Sequence, residues 1–117
     1  MQKMTRPLPS RRPRAIRGLL VLNGKQKRYL RSLAHALDPV VQVGKAGLSD
    51  GVLAQVREQL RAHELVKVRF AKECELQPAE AVAPLCEQTD CAFVQKTGRV
   101  LTLYRRHDHK PKIELPR

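Results

Sequence analysis

The stretch Val40-Val41-Gln42-Val43-Gly44-Lys45-Ala46-Gly47 sets two glycines and a lysine after an apolar, β-branched run, and a helical pattern begins close behind at Ser49-Asp50. A strand that ends in a glycine-bearing loop and feeds a helix presents backbone N–H groups and the positive end of the helix dipole to solvent. That geometry suits phosphate. Gly44 and Gly47 let a sugar-phosphate backbone come close with no Cβ in the way, Lys45 adds a mobile positive charge, and Ala46 completes the tetrad. Alone, such a tetrad also fits a plain strand-to-helix turn.

Other chemistries are excluded more firmly. Neither G-x-x-x-x-G-K-[ST] nor G-x-G-x-x-G occurs, so a cleavable nucleotide or a dinucleotide is not expected, and no cofactor is implied. Cys74, Cys86 and Cys91 are odd in number and form no C-x-x-C pair, which predicts buried free thiols rather than a disulfide framework or a zinc site. His107-Asp108-His109 lacks the spacing of a structural metal centre and reads as solvated tail. No Ser-His-Asp, Cys-His or paired-carboxylate arrangement can be assembled. The chain is not expected to be an enzyme.

Charge points to the partner. The 117 residues carry 23 Lys+Arg against 11 Asp+Glu, a formal net charge of +12, more than solubility requires. A polyanion is expected. The surplus gathers at the ends: residues 1–22 hold Lys3, Arg6, Arg11, Arg12, Arg14 and Arg17 with no acid, and residues 105–117 hold Arg105, Arg106, Lys110, Lys112 and Arg117 against two acids. The Arg- and Pro-rich start reads as an unpacked basic arm over residues 1–21, and residues 106–117 read as a basic C-terminal tail. An organelle transit peptide is the minority reading of the arm, since Ser10 and Thr5 are its only hydroxyl residues. Gly18-Leu19-Leu20-Val21-Leu22 is too short to span a membrane, so no membrane partner is expected.

The elements that must position the tetrad follow from periodicity. Asn23 and Gln26 form an approximate capping box, and Leu30, Leu33, Ala34 and Leu37 make the apolar stripe of a first helix ending near Asp38-Pro39. Lys25, Lys27 and Arg28 crowd its first turns, where cations oppose the macrodipole at a cost of roughly 0.3–1 kcal/mol each, and Lys25, Arg28, Arg31 and His35 fall on the side opposite the apolar stripe. A local rule broken repeatedly suggests a function. Val40, Val41 and Val43 predict a buried strand. Ser49 caps a second helix with core positions Val52, Leu53, Val56 and Leu60, ended by His63-Glu64. Val66, Val68 and Phe70 alternate with Lys67 and Arg69 as a half-buried strand, Pro78 opens a third helix, and residues 92–97 and 100–105 make a closing hairpin around Gly98. The order α-β-α-β-α-β-β predicts an α/β fold, a two-layer sandwich on a four-stranded mixed sheet. With Tyr29, Phe70, Phe93 and Tyr104 as its whole aromatic complement, the chain offers no base-stacking platform.

Taken together, "GKQKRYLRSLAHALDPVVQVGKAGLSDGVL", "HELVKVRF" and "GRVLTLYR" resemble the CRM domain (chloroplast RNA splicing and ribosome maturation) in its bacterial single-domain, YhbY-like form, over residues 22–105. The resemblance implies a variant of the C-terminal domain of translation initiation factor three with an extra N-terminal helix. It also implies a G-x-x-G loop like that of KH domains, with Gly44, Lys45, Ala46 and Gly47 against RNA and Lys25, Lys27, Arg28 and Arg31 as the adjoining basic surface. Two positions depart from the family pattern: Asp90 stands where glycine usually follows Thr89, and Lys96-Thr97 replace an apolar pair. The resemblance further implies a monomeric, cytoplasmic protein that binds ribosomal RNA in precursors of the large subunit. A translation-associated protein on mature ribosomes and an RNA splicing or chaperone factor are the alternatives.

Overall fold

A computed structural model describes residues 22–107 and 111–116. The arm over residues 1–21 and the Asp108-His109 part of the histidine run therefore lie outside the described residues.

Helix α1 spans Gly24–Ala34, and its capping box is reciprocal: Asn23 Oδ1 accepts from the Gln26 N–H at 2.8 Å and Gln26 Oε1 accepts from the Asn23 N–H at 3.1 Å. It ends about a turn earlier than the apolar stripe predicts. Pro39 forces its predecessor out of helical geometry, and the Lys67 ammonium takes the Leu37 carbonyl at 3.0 Å, so Leu37 is left partly exposed. Strand β1 is Val41–Val43; Val40 precedes it and is exposed rather than buried. Helix α2, Asp50–His63, is capped by Ser49 as expected. Strand β2 (Leu65–Phe70), helix α3 (Pro78–Thr89) and strands β3 (Ala92–Thr97) and β4 (Val100–Tyr104) complete the order.

The sheet runs β1-β2-β4-β3, with β1 parallel to β2 and the other pairs antiparallel. Alternation along the strands divides the core between its two faces. Val41, Val43, Val66, Val68, Phe70, Leu101 and Leu103 pack with Leu53, Val56 and Leu60 of α2 and Ala81 and Leu85 of α3, making the expected two-layer sandwich. Leu65, Ala92, Val94 and Tyr104 turn to the other face, where Leu30 and Ala34 of α1 cover them together with Leu22. The extra N-terminal helix thus adds a partial third layer. Each leucine buried this way is worth roughly 1.5–3 kcal/mol.

Cys74, Cys86 and Cys91 are buried free thiols, as the sequence predicts. A hydrogen bond between Cys86 and Cys91, reinforced at Cys91 by burial, lowers the first thiol and holds the second far above the ordinary thiol range.

Residues after β4 depart from the picture of a solvated tail. Glu64, at the C-cap of α2, is fully buried with φ +66°, and its carboxylate accepts backbone N–H bonds from His107 (2.8 Å), Lys112 (2.9 Å) and Ile113 (2.8 Å). Ile113 and Leu115 pack on the α1 cluster, and Gln26 Nε2 donates to the Pro116 carbonyl at 3.0 Å. The segment is tied down because a buried carboxylate must find donors and three backbone amides supply them. No group of three or more His, Cys, Asp or Glu side chains among the described residues could hold a metal ion.

Candidate nucleic-acid interface

The Gly44–Gly47 tetrad is a turn closed by the Gly47 N–H on the Gly44 carbonyl at 3.0 Å, followed by the Ser49 N–H on the Gly47 carbonyl at 2.9 Å. Lys45 and Ala46 are exposed, and their N–H groups have no acceptor among the described residues. The two glycines differ. Gly47 has φ +73°, a left-handed conformation that explains it without any ligand. Gly44 has no positive φ, and a Cβ built there would meet nothing within 4 Å. Inside the fold, nothing requires glycine at 44.

The helix N-terminus contributes less than the sequence suggests. Leu48 and Ser49 separate α2 from the tetrad, the Ser49 hydroxyl accepts from the Val52 N–H at 3.2 Å, and the Asp50 carboxylate occupies the first turn. The anion-attracting end of the dipole is already partly answered by that carboxylate.

The four predicted cations of α1 are spread over a broad arc of the helix. At about 100° per residue, Lys27 and Arg31 lie on one flank with Arg28 and His35 beyond them, while Lys25 turns to the outer surface. Lys27 and Arg31 are half-buried, whereas Lys25 and Arg28 are exposed. Arg31 and His35 share a cleft with β3 residues, which places this flank toward the β3 side of the sheet. The tetrad follows β1, on the opposite sheet edge, three strand spacings or about 14 Å away.

Between those edges lies a part of the sheet that α1 leaves open. Cross-strand partners share a face. The pairs Gln42↔Arg69, Lys67↔Thr102, Arg69↔Val100, Gln95↔Thr102 and Thr97↔Val100 therefore continue the face that begins under α1 with Leu65↔Tyr104 and Ala92↔Tyr104. Strands β2 and β3 change from apolar to polar as they emerge from beneath the helix. There Lys67, Gln95, Thr97, Val100 and Thr102 meet Arg31, Ser32 and His35 around a cleft of about 480 Å³. Lys67 and Arg69 were legible as basic strand positions; Gln95, Thr97 and Thr102 were not, because period-two alternation cannot reveal which face a helix leaves uncovered.

The sequence and the fold are similar to those of known proteins. Residues 22–105 match the CRS1 / YhbY (CRM) domain. This chain belongs to the CRM family. Over 96 residues it is 41% identical to the probable RNA-binding protein YqeI of Bacillus subtilis, covering 82% of this chain and all of that one. It is 40% identical over 99 residues to an RNA-binding protein of Haemophilus influenzae, covering 85% of this chain and 99% of that one. The solution structure of the Staphylococcus aureus protein SAV1595, described as a candidate RNA binder, superposes with a TM-score of 0.70 at 40% identity, covering 82% of this chain and 100% of that one.

Both departures from the CRM pattern have a structural account. Asp90 adopts φ 57° and ψ 50° at the C-cap of α3, the left-handed conformation in which glycine is ordinarily preferred, and aspartate is among the few residues that tolerate it. Its carboxylate lies 3.7 Å from the Arg105 guanidinium. Lys96 and Thr97 are exposed at the end of the edge strand, so neither needs to be apolar.

Proposed function

We propose that this CRM domain is a non-enzymatic RNA-binding protein that grips the phosphate backbone of ribosomal RNA in precursors of the large ribosomal subunit and assists their assembly, as a cytoplasmic monomer. Gly44 carries the reading. It has neither the backbone conformation nor the internal contact that would demand glycine, so its missing side chain is best explained by something that approaches from outside. Beside it, the exposed Lys45 and the unanswered N–H groups of Lys45 and Ala46 offer charge and donors to a phosphate. The RNA-binding relatives and the +12 net charge support the same partner.

Lys45→Glu should weaken binding to a structured ribosomal RNA fragment by about tenfold or more at low salt, with thermal stability unchanged, because it inverts a charge beside the phosphate. Arg106→Glu makes the same charge change on an exposed residue beyond the opposite end of β4 and should cost much less. Equal affinities of the two variants, measured by fluorescence anisotropy across a salt series, would show that the loop has no special part. In cells, the tagged protein should sediment with large-subunit precursors rather than with translating ribosomes.

A further inference from the structure

We infer that the cleft between the end of α1 and strands β3 and β4 takes a single unpaired ribonucleotide, so that this protein selects RNA in which a single-stranded nucleotide adjoins the backbone held by the Gly44–Gly47 loop. This rests on the RNA-binding reading above and adds a second contact with a different chemistry.

Three observations carry it. The first is the β-bulge in β3. Phe93 pairs with Leu103 but Gln95 pairs with Thr102, leaving Val94 as the extra residue. Strict alternation from Ala92 and Val94 would put Lys96 on the α1 face; the bulge instead puts Gln95 and Thr97 there, both of which line the cleft. Bulges re-aim side chains in this way next to sites.

The second is Thr102. It is 2% exposed and lines the cleft, paired to Lys67 on one side and Gln95 on the other, so the strands hold its hydroxyl at a fixed place in the wall. A hydroxyl can both donate to and accept from a ligand there.

The third is the division of chemistry. Gln95, Thr97 and Thr102 are neutral and both donate and accept, as the edge of a nucleobase requires. Arg31, His35 and Lys67 bring cationic or ionisable nitrogen to the same cleft, as a phosphate requires, and no carboxylate lines it. Lys67 donates to the Leu37 carbonyl and retains further protons for a second acceptor. A space of about 480 Å³ suits one nucleotide and is far too small for a duplex, whose bases are in any case already paired. The cleft reaches Thr97 and Val100, at the same end of the sheet from which the Gly44–Gly47 loop departs, since Phe70 pairs with Val43 on one side and its N–H reaches the Arg99 carbonyl on the other.

The test compares a blunt RNA duplex with the same duplex carrying a short single-stranded extension, against the full-length protein and its Thr102→Val, Gln95→Ala and Lys45→Glu variants. The wild type should prefer the extended RNA. Thr102→Val and Gln95→Ala should each lose about three- to tenfold in affinity for the extended RNA and none for the blunt duplex, while Lys45→Glu weakens both. Circular dichroism melting checks folding, and Gln95, half-buried on an edge strand, carries the test if Thr102→Val is unstable. Cleft variants that match the wild type on both RNAs while Lys45→Glu remains impaired would overturn the cleft and leave the loop reading intact. Equal losses on both RNAs would overturn the selection of unpaired nucleotides. Failure of the wild type to bind either RNA would remove the RNA reading itself.

Discussion

Gly47 and Glu64 share a positive φ, +73° and +66°, yet stand in opposite surroundings. Around Gly47 the loop is open, its neighbours Lys45 and Ala46 are exposed, and their N–H groups are unanswered. At Glu64 every feature is answered from inside: the carboxylate holds three backbone amides and the carbonyl accepts from the Arg105 N–H at 2.8 Å. An unusual backbone position is a sign of function only after internal partners have been counted. At Glu64 they account for the strain, as the surroundings over-determine a conformation that costs about 1–3 kcal/mol. In the loop they account for Gly47 but not for Gly44.

The Glu64 end should show the largest response to mutation. Glu64→Ala leaves three amides without their acceptor and releases the segment that covers the α1 cluster, so a loss of about 3 kcal/mol is expected from chemical denaturation. Hydrogen exchange at the His107, Lys112 and Ile113 amides should accelerate with it. An unchanged denaturation midpoint would mean that the carboxylate is a passenger.

Tyr104 sharpens the same end through pH. Its buried hydroxyl has no partner, and burial first and the Glu64 charge second push its pKa up to about 12 from 10. The folded state therefore holds the phenolic proton more tightly than the unfolded chain. The stability that follows is fully present below pH 10 and is lost as pH rises through 12, about 3 kcal/mol in all. Tyr104→Phe should flatten this alkaline limb and leave neutral-pH stability equal or slightly higher, since it removes an unpaired buried hydroxyl. Parallel pH profiles for the two proteins would contradict the assignment.

The smallest effects separate the two glycines of the loop. Gly47→Ala should cost about 1 kcal/mol because it places a Cβ on a left-handed residue. Gly44→Ala should leave stability unchanged and weaken RNA binding alone. Matching stability losses would erase the difference on which the proposed contact rests.

Sequence alone determined the elements and their order, since each rests on a local rule with a strong signal: the Asn23/Gln26 box, the Ser49 cap, Pro78 at the start of α3, and the alternation through Val66, Val68 and Phe70. It also marked the Gly44–Gly47 tetrad and the cations of α1, because charge and glycine are visible without a fold. Only the tertiary structure decided where those cations point, because the same helix carries Lys25 outward and Arg31 into a cleft. It also decided which strand residues stay uncovered, because a one-residue bulge in β3 turns Gln95 and Thr97 toward that cleft. The burial of Glu64 was equally beyond local reading. A glutamate after a histidine at a helix end looks like solvent surface until residues more than forty positions later return to supply its donors.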